Sequence, residues 1–128
     1  VLYSIAQKAD MPVSTTLMAR GVFPNNNPYD VGMPGMHGTV EANYTVQHCD
    51  CLLAVGMRFD DRVTSNVSSF APNAKAIIHV DIDPAEIGKT VTPTFPLVAD
   101  ASEFLDALNE ALTAIKRGWK KCSKAVMK

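Results

Sequence analysis

The chain has 128 residues, 47% hydrophobic and 20% charged, the proportions of one globular domain, which exclude a disordered or collagen-like chain. Its formal charge of −1 hides an asymmetry: Lys116, Arg117, Lys120, Lys121, Lys124 and Lys128 crowd the last thirteen residues, leaving residues 1–115 with six basic and thirteen acidic side chains. An acidic body of that kind repels nucleic acid and anionic membranes, so neither is an expected partner.

The element pattern begins with Leu2, Ile5, Ala6 and Ala9, whose spacing predicts a helix face that stops at Asp10-Met11-Pro12. Residues 12–16 read as a short strand, and residues 17–37, broken by Gly21, Pro24, Pro28, Gly32, Pro34 and Gly35, as a long irregular loop. A helix is predicted over 38–48, beginning at a glycine. The run Cys51 to Gly56 suits a strand covered on both faces. A polar loop follows over 57–74, then the strongest strand, Ala76 to Ile82, and a short turn at Asp83-Pro84. Residues 95–99 read as a fourth strand. Asp100 and Glu103 are spaced as a capping box before the apolar stripe Phe104, Leu105, Leu108, Leu112 and Ile115.

Helices alternating with short apolar strands predict an α/β fold, a doubly wound and mostly parallel sheet with helices on both faces. Residues 1–115 form the domain in this reading, and 116–128 a basic helix or linker. A doubly wound sheet places its ligand in the crevice at the carboxyl ends of its strands. The loops 17–37, 57–74 and 83–94 all follow strands and should gather there. No apolar run approaches the ~20 residues of a membrane span. With no basic leader and no initiating Met, a signal peptide is not expected, and the chain reads as a piece of something longer.

Several residues could carry chemistry. Gly32-Met33-Pro34-Gly35-Met36-His37-Gly38-Thr39 is a glycine-rich approach to a helix start, able either to pass close to a phosphate or simply to turn the chain. Asp81 ends the strongest strand, where such folds place an acid for ribose hydroxyls, or it is merely solvated; Asp83 reads better as a cap. Arg58 and Arg62 bracket Asp60 and Asp61. The arginines either grip a phosphate or carboxylate or brace the loop against the two acids. His37 could donate to a ligand, His79 reads as a core histidine, and His48 as a helix-end residue. Met33, Met36 and Met57 suit the edge of a flat aromatic ligand or fill gaps. Three cysteines, an odd number, point to a reducing compartment. Cys49 and Cys51, near His37 and His48, lack a second ligand pair at zinc spacing, so buried thiols are expected and no metal site. No nucleophilic triad is present.

Taken in order, Thr15-Thr16-Leu17-Met18, Gly32 to Thr39, Ala42-Asn43-Tyr44, Gly56-Met57-Arg58-Phe59-Asp60-Asp61-Arg62-Val63-Thr64 and His79 to Ile87 resemble the central domain of the acetolactate (acetohydroxyacid) synthase catalytic subunit, a thiamine-diphosphate enzyme. The resemblance spans about residues 1–110. It implies a three-domain parent that condenses two pyruvates, or pyruvate and 2-oxobutyrate, with loss of CO2, the first shared step of branched-chain amino-acid synthesis. It further implies a Rossmann-like central domain that binds FAD through segments His37 to Arg58 and Asp81 to Asp100, with His37, Gly38, Arg58, Asp81 and Asp100 as cofactor residues. Met36, Asp61 and Arg62 match positions at the substrate-access channel.

The family's activating glutamate and its G-D-G…N-N motif for thiamine diphosphate and Mg2+ belong to other domains, so this chain should hold no catalytic residue and should be inactive alone. The chain would begin within the family's first helix, N-terminally truncated, without the preceding central strand and glycine-rich turn. Pro34 stands where leucine is more usual. A homo-oligomeric parent with a regulatory subunit, in the cytoplasm (or in a plastid or mitochondrion if eukaryotic), is also implied. Other readings are the central domain of another carboligase, such as glyoxylate carboligase, or a nucleotide-binding or assembly module without catalysis.

Overall fold

The computed structural model describes residues 1–115 and the backbone of residues 124–127. Among these residues the strands β1 (Val13–Ser14), β2 (Asp30–Gly32), β3 (Cys51–Val55), β4 (Ala76–Asp81), β5 (Phe95–Val98) and β6 (Lys124–Met127) form one sheet. Its order is β2-β1-β6-β3-β4-β5, with every pairing parallel. The helices are α1 (Leu2–Ala9), α2 (Val40–His48), the single turn α3 (Asp61–Thr64) and α4 (Ala101–Ala114). The expected α/β class, a parallel sheet flanked by helices, is what is seen.

Two cores flank the sheet. On one face Leu2, Ile5, Ala6 and Ala9 of α1 meet Leu105 and Leu112 of α4 over Val13, Leu53, Val55 and Val80. Lys8 Nζ ties the two helices together through Asn109 Oδ1 at 2.8 Å and Thr113 Oγ1 at 2.6 Å. On the other face Val46 and Cys49 meet Leu52, Ala54, Met57, Phe59 and Ala71. The unbroken apolar run of β3 thus divides between the cores, Leu53 and Val55 on one side and Leu52 and Ala54 on the other. Side chains alternate along a strand, so a strand covered twice has no polar face. Asp10, in the left-handed conformation at φ 52°, ends α1 as the Asp10-Met11-Pro12 signal predicts.

Three expectations need correction. The loop 17–37 contains β2 and a 3-10 turn at Leu17–Ala19, both too short to show a period in sequence. The predicted helix at 38–48 starts at Val40, not at a glycine, because Thr39 Oγ1 accepts from the Ala42 amide at 3.1 Å and caps it. Asp100 caps α4 by accepting from the Ser102 amide at 3.2 Å; the Glu103 half of the box is not formed.

The slot of the central strand expected to be missing is filled. β6 lies between β1 and β3, with Val126 opposite both Val13 and Leu53. Counting β6 as first converts the order into 3-2-1-4-5-6, that of doubly wound dinucleotide-binding sheets. An open slot would leave rows of unpaired amides and carbonyls on β1 and β3, and pairing with β6 removes that cost. Of the tail expected as a basic helix or linker, residues 124–127 are therefore a strand. Residues 116–123 and 128, Cys122 included, lie outside the described residues.

Candidate functional site

The carboxyl ends of β1, β2 and β3 open into a cavity of about 430 Å3. Thr16, Leu17 and Met18 line it after β1, Met33, Pro34 and His37 after β2, and Gly56, Met57 and Arg58 after β3. Asp60, Arg62 and Val63 complete the lining. The strand order reverses between β6 and β3, and that switch point is where open α/β sheets hold ligands. His37 and the pair Arg58 and Arg62, some twenty residues further along the chain, are thereby brought to one cavity.

The braced loop expected as one alternative is not formed among the described residues. Asp60 does not pair with an arginine; its Oδ1 caps α3 by accepting from the Val63 amide at 3.2 Å. Among the described residues the ion pairs are Arg20–Asp30 and Lys89–Glu86. Arg58 and Arg62, both exposed, have neither an ion-pair nor a side-chain hydrogen-bond partner there. Two guanidiniums without a carboxylate leave their planar forks open to an anion. Leu17 and Met18, 72% and 94% exposed, together with Met33 and Met57 supply an apolar, polarisable wall.

Two loops are knitted together to shape this cavity. Gly35 has φ +106°, and a Cβ there would lie 2.2 Å from the Arg62 carbonyl oxygen. The Met36 amide donates to that same oxygen at 2.9 Å. Asn43, projecting from α2, holds Gly35 on both sides: its Oδ1 accepts from the Gly35 amide at 2.8 Å and its Nδ2 donates to the Gly35 carbonyl at 2.9 Å. Sequence reasoning noted Asn43 only within the Ala42-Asn43-Tyr44 segment and gave it no role. The available signal was an asparagine inside a helix, where its side chain competes with the backbone for partners. Gly38 turns the loop rather than lining the cavity, since a Cβ there would meet the Met33 carbonyl oxygen at 2.1 Å.

A family model described as the thiamine pyrophosphate enzyme central domain matches residues 1–108. The chain belongs to this family. It is 53% identical over 115 residues to a probable acetolactate synthase large subunit of Methanocaldococcus jannaschii, covering 90% of this chain and 19% of that protein. It is 54% identical over 115 residues to the acetolactate synthase large subunit of Corynebacterium glutamicum, covering 90% and 18%. The same protein of Buchnera aphidicola (subsp. Schlechtendalia chinensis) is 50% identical over 107 residues, with 84% and 18% covered. The resemblance read from the motifs is met by these relatives, of whose length the chain spans about a fifth.

In this central domain the remaining predicted residues are spread along the crevice rather than gathered in the cavity. Asp81, 9% exposed, ends β4, and its Oδ1 accepts from the Asp83 amide at 2.9 Å. Asp83 caps the following turn by accepting from the Ala85 amide at 3.0 Å. Asp100 is the N-cap of α4. Gly56 links this end to the cavity: it lines the cavity, its amide donates to the Val80 carbonyl at 2.8 Å, and a Cβ there would meet only Ala101 Cβ, at 3.8 Å. Met36, 64% exposed, lines a smaller cavity of about 340 Å3 behind Gly35 with Asn43, Val46 and Phe70. Asp61 opens α3, exposed, and lines neither cavity.

Among the described residues no group of three or more His, Cys, Asp and Glu is placed to hold a metal, and no helix is long and apolar enough to cross a membrane. His48 ends α2, stacked on Tyr44 at 4.0 Å, as expected of a helix-end residue. Cys49 is fully buried, and its Sγ donates to the Val46 carbonyl at 3.2 Å. Burial, then the neighbouring Cys51 and Asp50, push its thiol up to about 11. A raised thiol favours folding fully below its unfolded value, and that contribution is lost as the pH rises through about 11. Iodoacetamide at pH 8 is therefore expected to leave Cys49 unlabelled in the native chain and to label it in urea, as peptide mapping would read. Labelling at equal rates in both states would refute its burial.

Proposed function

We propose that this chain is the FAD-binding central domain of an acetolactate synthase large subunit. The observation that carries the reading is the pair of unpartnered guanidiniums, Arg58 and Arg62, facing a thioether-walled cavity at the carboxyl ends of a doubly wound sheet. FAD fits this donor set. Its diphosphate suits the guanidinium forks, its flat ring the wall of Met18, Met33 and Met57, and its ribose hydroxyls an acid such as Asp81 at a strand end. His37, Gly38, Arg58, Asp81 and Asp100 would hold it, and Met36, Asp61 and Arg62 would border the path of substrate, with Arg62, which lines the same cavity as Arg58, also reaching the diphosphate.

When bound, the flavin supplies no net oxidation or reduction to the condensation. The residues of this chain bind and orient it. Gly35 and Asn43 hold the two loops together, and the methionine and leucine wall excludes water from its ring. The parent would condense pyruvate with a second pyruvate or with 2-oxobutyrate and release CO2, as a homo-oligomer with a regulatory subunit, in the cytoplasm or an organelle. Thiamine diphosphate and Mg2+ would be held by other domains, because this chain carries neither the activating glutamate nor the G-D-G…N-N motif. The isolated chain should then release no CO2 from pyruvate when given both cofactors.

Titration of the purified chain with FAD, ADP and riboflavin tests the reading. Saturable FAD binding that changes flavin fluorescence is expected, with ADP weaker and riboflavin, which lacks the diphosphate, weaker by at least about tenfold. Riboflavin binding as tightly as FAD, or no flavin binding by a folded chain, would overturn it.

A further inference from the structure

His79 is fully buried in β4, and the flavin reading gives it no task. Its Nε2 lies 2.9 Å from the Met57 carbonyl oxygen. Its ring meets Phe59 edge-on, with centroids 4.8 Å apart. Its Nδ1 is buried and has no hydrogen-bond partner. A carbonyl oxygen only accepts, so Nε2 carries the proton of this bond, and Nδ1 is left without a partner. A phenylalanine or leucine would pack there without an orphaned nitrogen, so packing alone does not account for a histidine at this position.

The bond to Met57 does account for it. The chain leaving β3 is pinned to two successive residues of β4: the Gly56 amide to the Val80 carbonyl at 2.8 Å, and the Met57 carbonyl to the His79 ring. Between these two pins the backbone turns through Gly56 at φ +63°. Arg58 follows immediately and lines the cavity. Unpinning Met57 frees the peptide that carries Arg58, because a lone glycine turn does not define a direction.

We propose that His79 is a positioning residue, which holds the Met57 carbonyl so that Arg58 is presented to the anion in the cavity. The structural half of this proposal stands on the free chain alone, and the anion half rests on the flavin reading. Hydrogen–deuterium exchange of the segment 56–64 in the ligand-free chain tests the first, and FAD affinity tests the second.

His79→Phe keeps the ring and its contact with Phe59 but removes the donor. His79→Gln restores a donor at the reach of Nε2. Cys49→Ala loosens the same core from the opposite end of β3 and serves as a control for general destabilisation. The phenylalanine variant is expected to exchange several-fold faster over 56–64 and to bind FAD about tenfold more weakly, with glutamine restoring both and the cysteine variant changing neither. Should the phenylalanine variant fail to fold, His79→Asn, too short to reach Met57, takes its place with the same expected result. Unchanged exchange over 56–64, equal loosening in Cys49→Ala, or no recovery with glutamine would overturn the proposal. If the unaltered chain binds no FAD, the flavin reading fails, and the exchange arm alone decides the role of His79.

Discussion

Replacing Arg58 and Arg62 together by alanine is expected to weaken FAD binding by about a hundredfold or more, and to leave the melting temperature within about 2 °C of the parent chain. The affinity loss follows from the bonds each guanidinium can offer. A hydrogen bond to a charged group contributes about 1.5–3 kcal/mol, so two of them account for at least two orders of magnitude. The unchanged stability follows from what the two side chains do without a ligand. Both are exposed, and neither pairs with a carboxylate among the described residues, where the ion pairs are Arg20–Asp30 and Lys89–Glu86. Their removal therefore breaks no native contact of that kind. It should also flatten the salt dependence of binding, because the screened attraction to the diphosphate is lost. Arg58→Ala alone is expected to cost about tenfold. Flavin fluorescence titration and a thermal melt on the same samples suffice. A double variant that binds FAD like the parent would remove the observation on which the functional reading rests.

Gly35→Ala should have the opposite profile, with loss of stability and of binding together. Its φ of +106° is a conformation that side-chain-bearing residues rarely adopt, and the added Cβ would stand 2.2 Å from the Arg62 carbonyl oxygen. Backbone strain of this kind costs about 1–3 kcal/mol by itself. The oxygen cannot step aside freely, because it already accepts from the Met36 amide at 2.9 Å. Nor can Gly35 retreat, because Asn43 grips its amide and its carbonyl. The two loops must part, at a total cost of about 3 kcal/mol or more, and Arg62 moves away from the cavity with them. Urea unfolding would show the loss as a lower midpoint. An alanine variant within about 0.5 kcal/mol of the parent would mean that the loops are not packed as described.

These two experiments separate the cavity into parts of different legibility. The arginines were visible in the sequence as candidates because a guanidinium pair within five residues is conspicuous in an acidic body. Their availability was not visible, because Asp60 and Asp61 between them offered an equally good local explanation. Only the tertiary structure shows that the brace is absent: Asp60 caps the Val63 amide at the start of α3, and neither arginine pairs with a carboxylate among the described residues. Gly35 could be read as a turn glycine. That it lies against the backbone of a residue twenty-seven positions away has no local trace. Asn43 and His79 were legible as residue types and silent as to partners, since both act on backbone atoms of other elements.

The sequence by itself determined what short-range physics controls. Local pattern and punctuation produced α1, β1, α2, β3, β4, β5 and α4 in order, and their alternation implied a parallel sheet with two covered faces, with ligands at the carboxyl ends. The motifs carried the family, which the match over residues 1–108 bears out. Tertiary structure alone decided which strands are neighbours. β2, which lies inside the loop expected over residues 17–37, has three residues, too few for a period, and it is stabilised by the strand beside it rather than by its own composition. The central slot went to β6, from a tail whose charges suggested a helix or linker, because an unpaired row of backbone groups on β1 and β3 costs more than any local preference of residues 124–127 could offset.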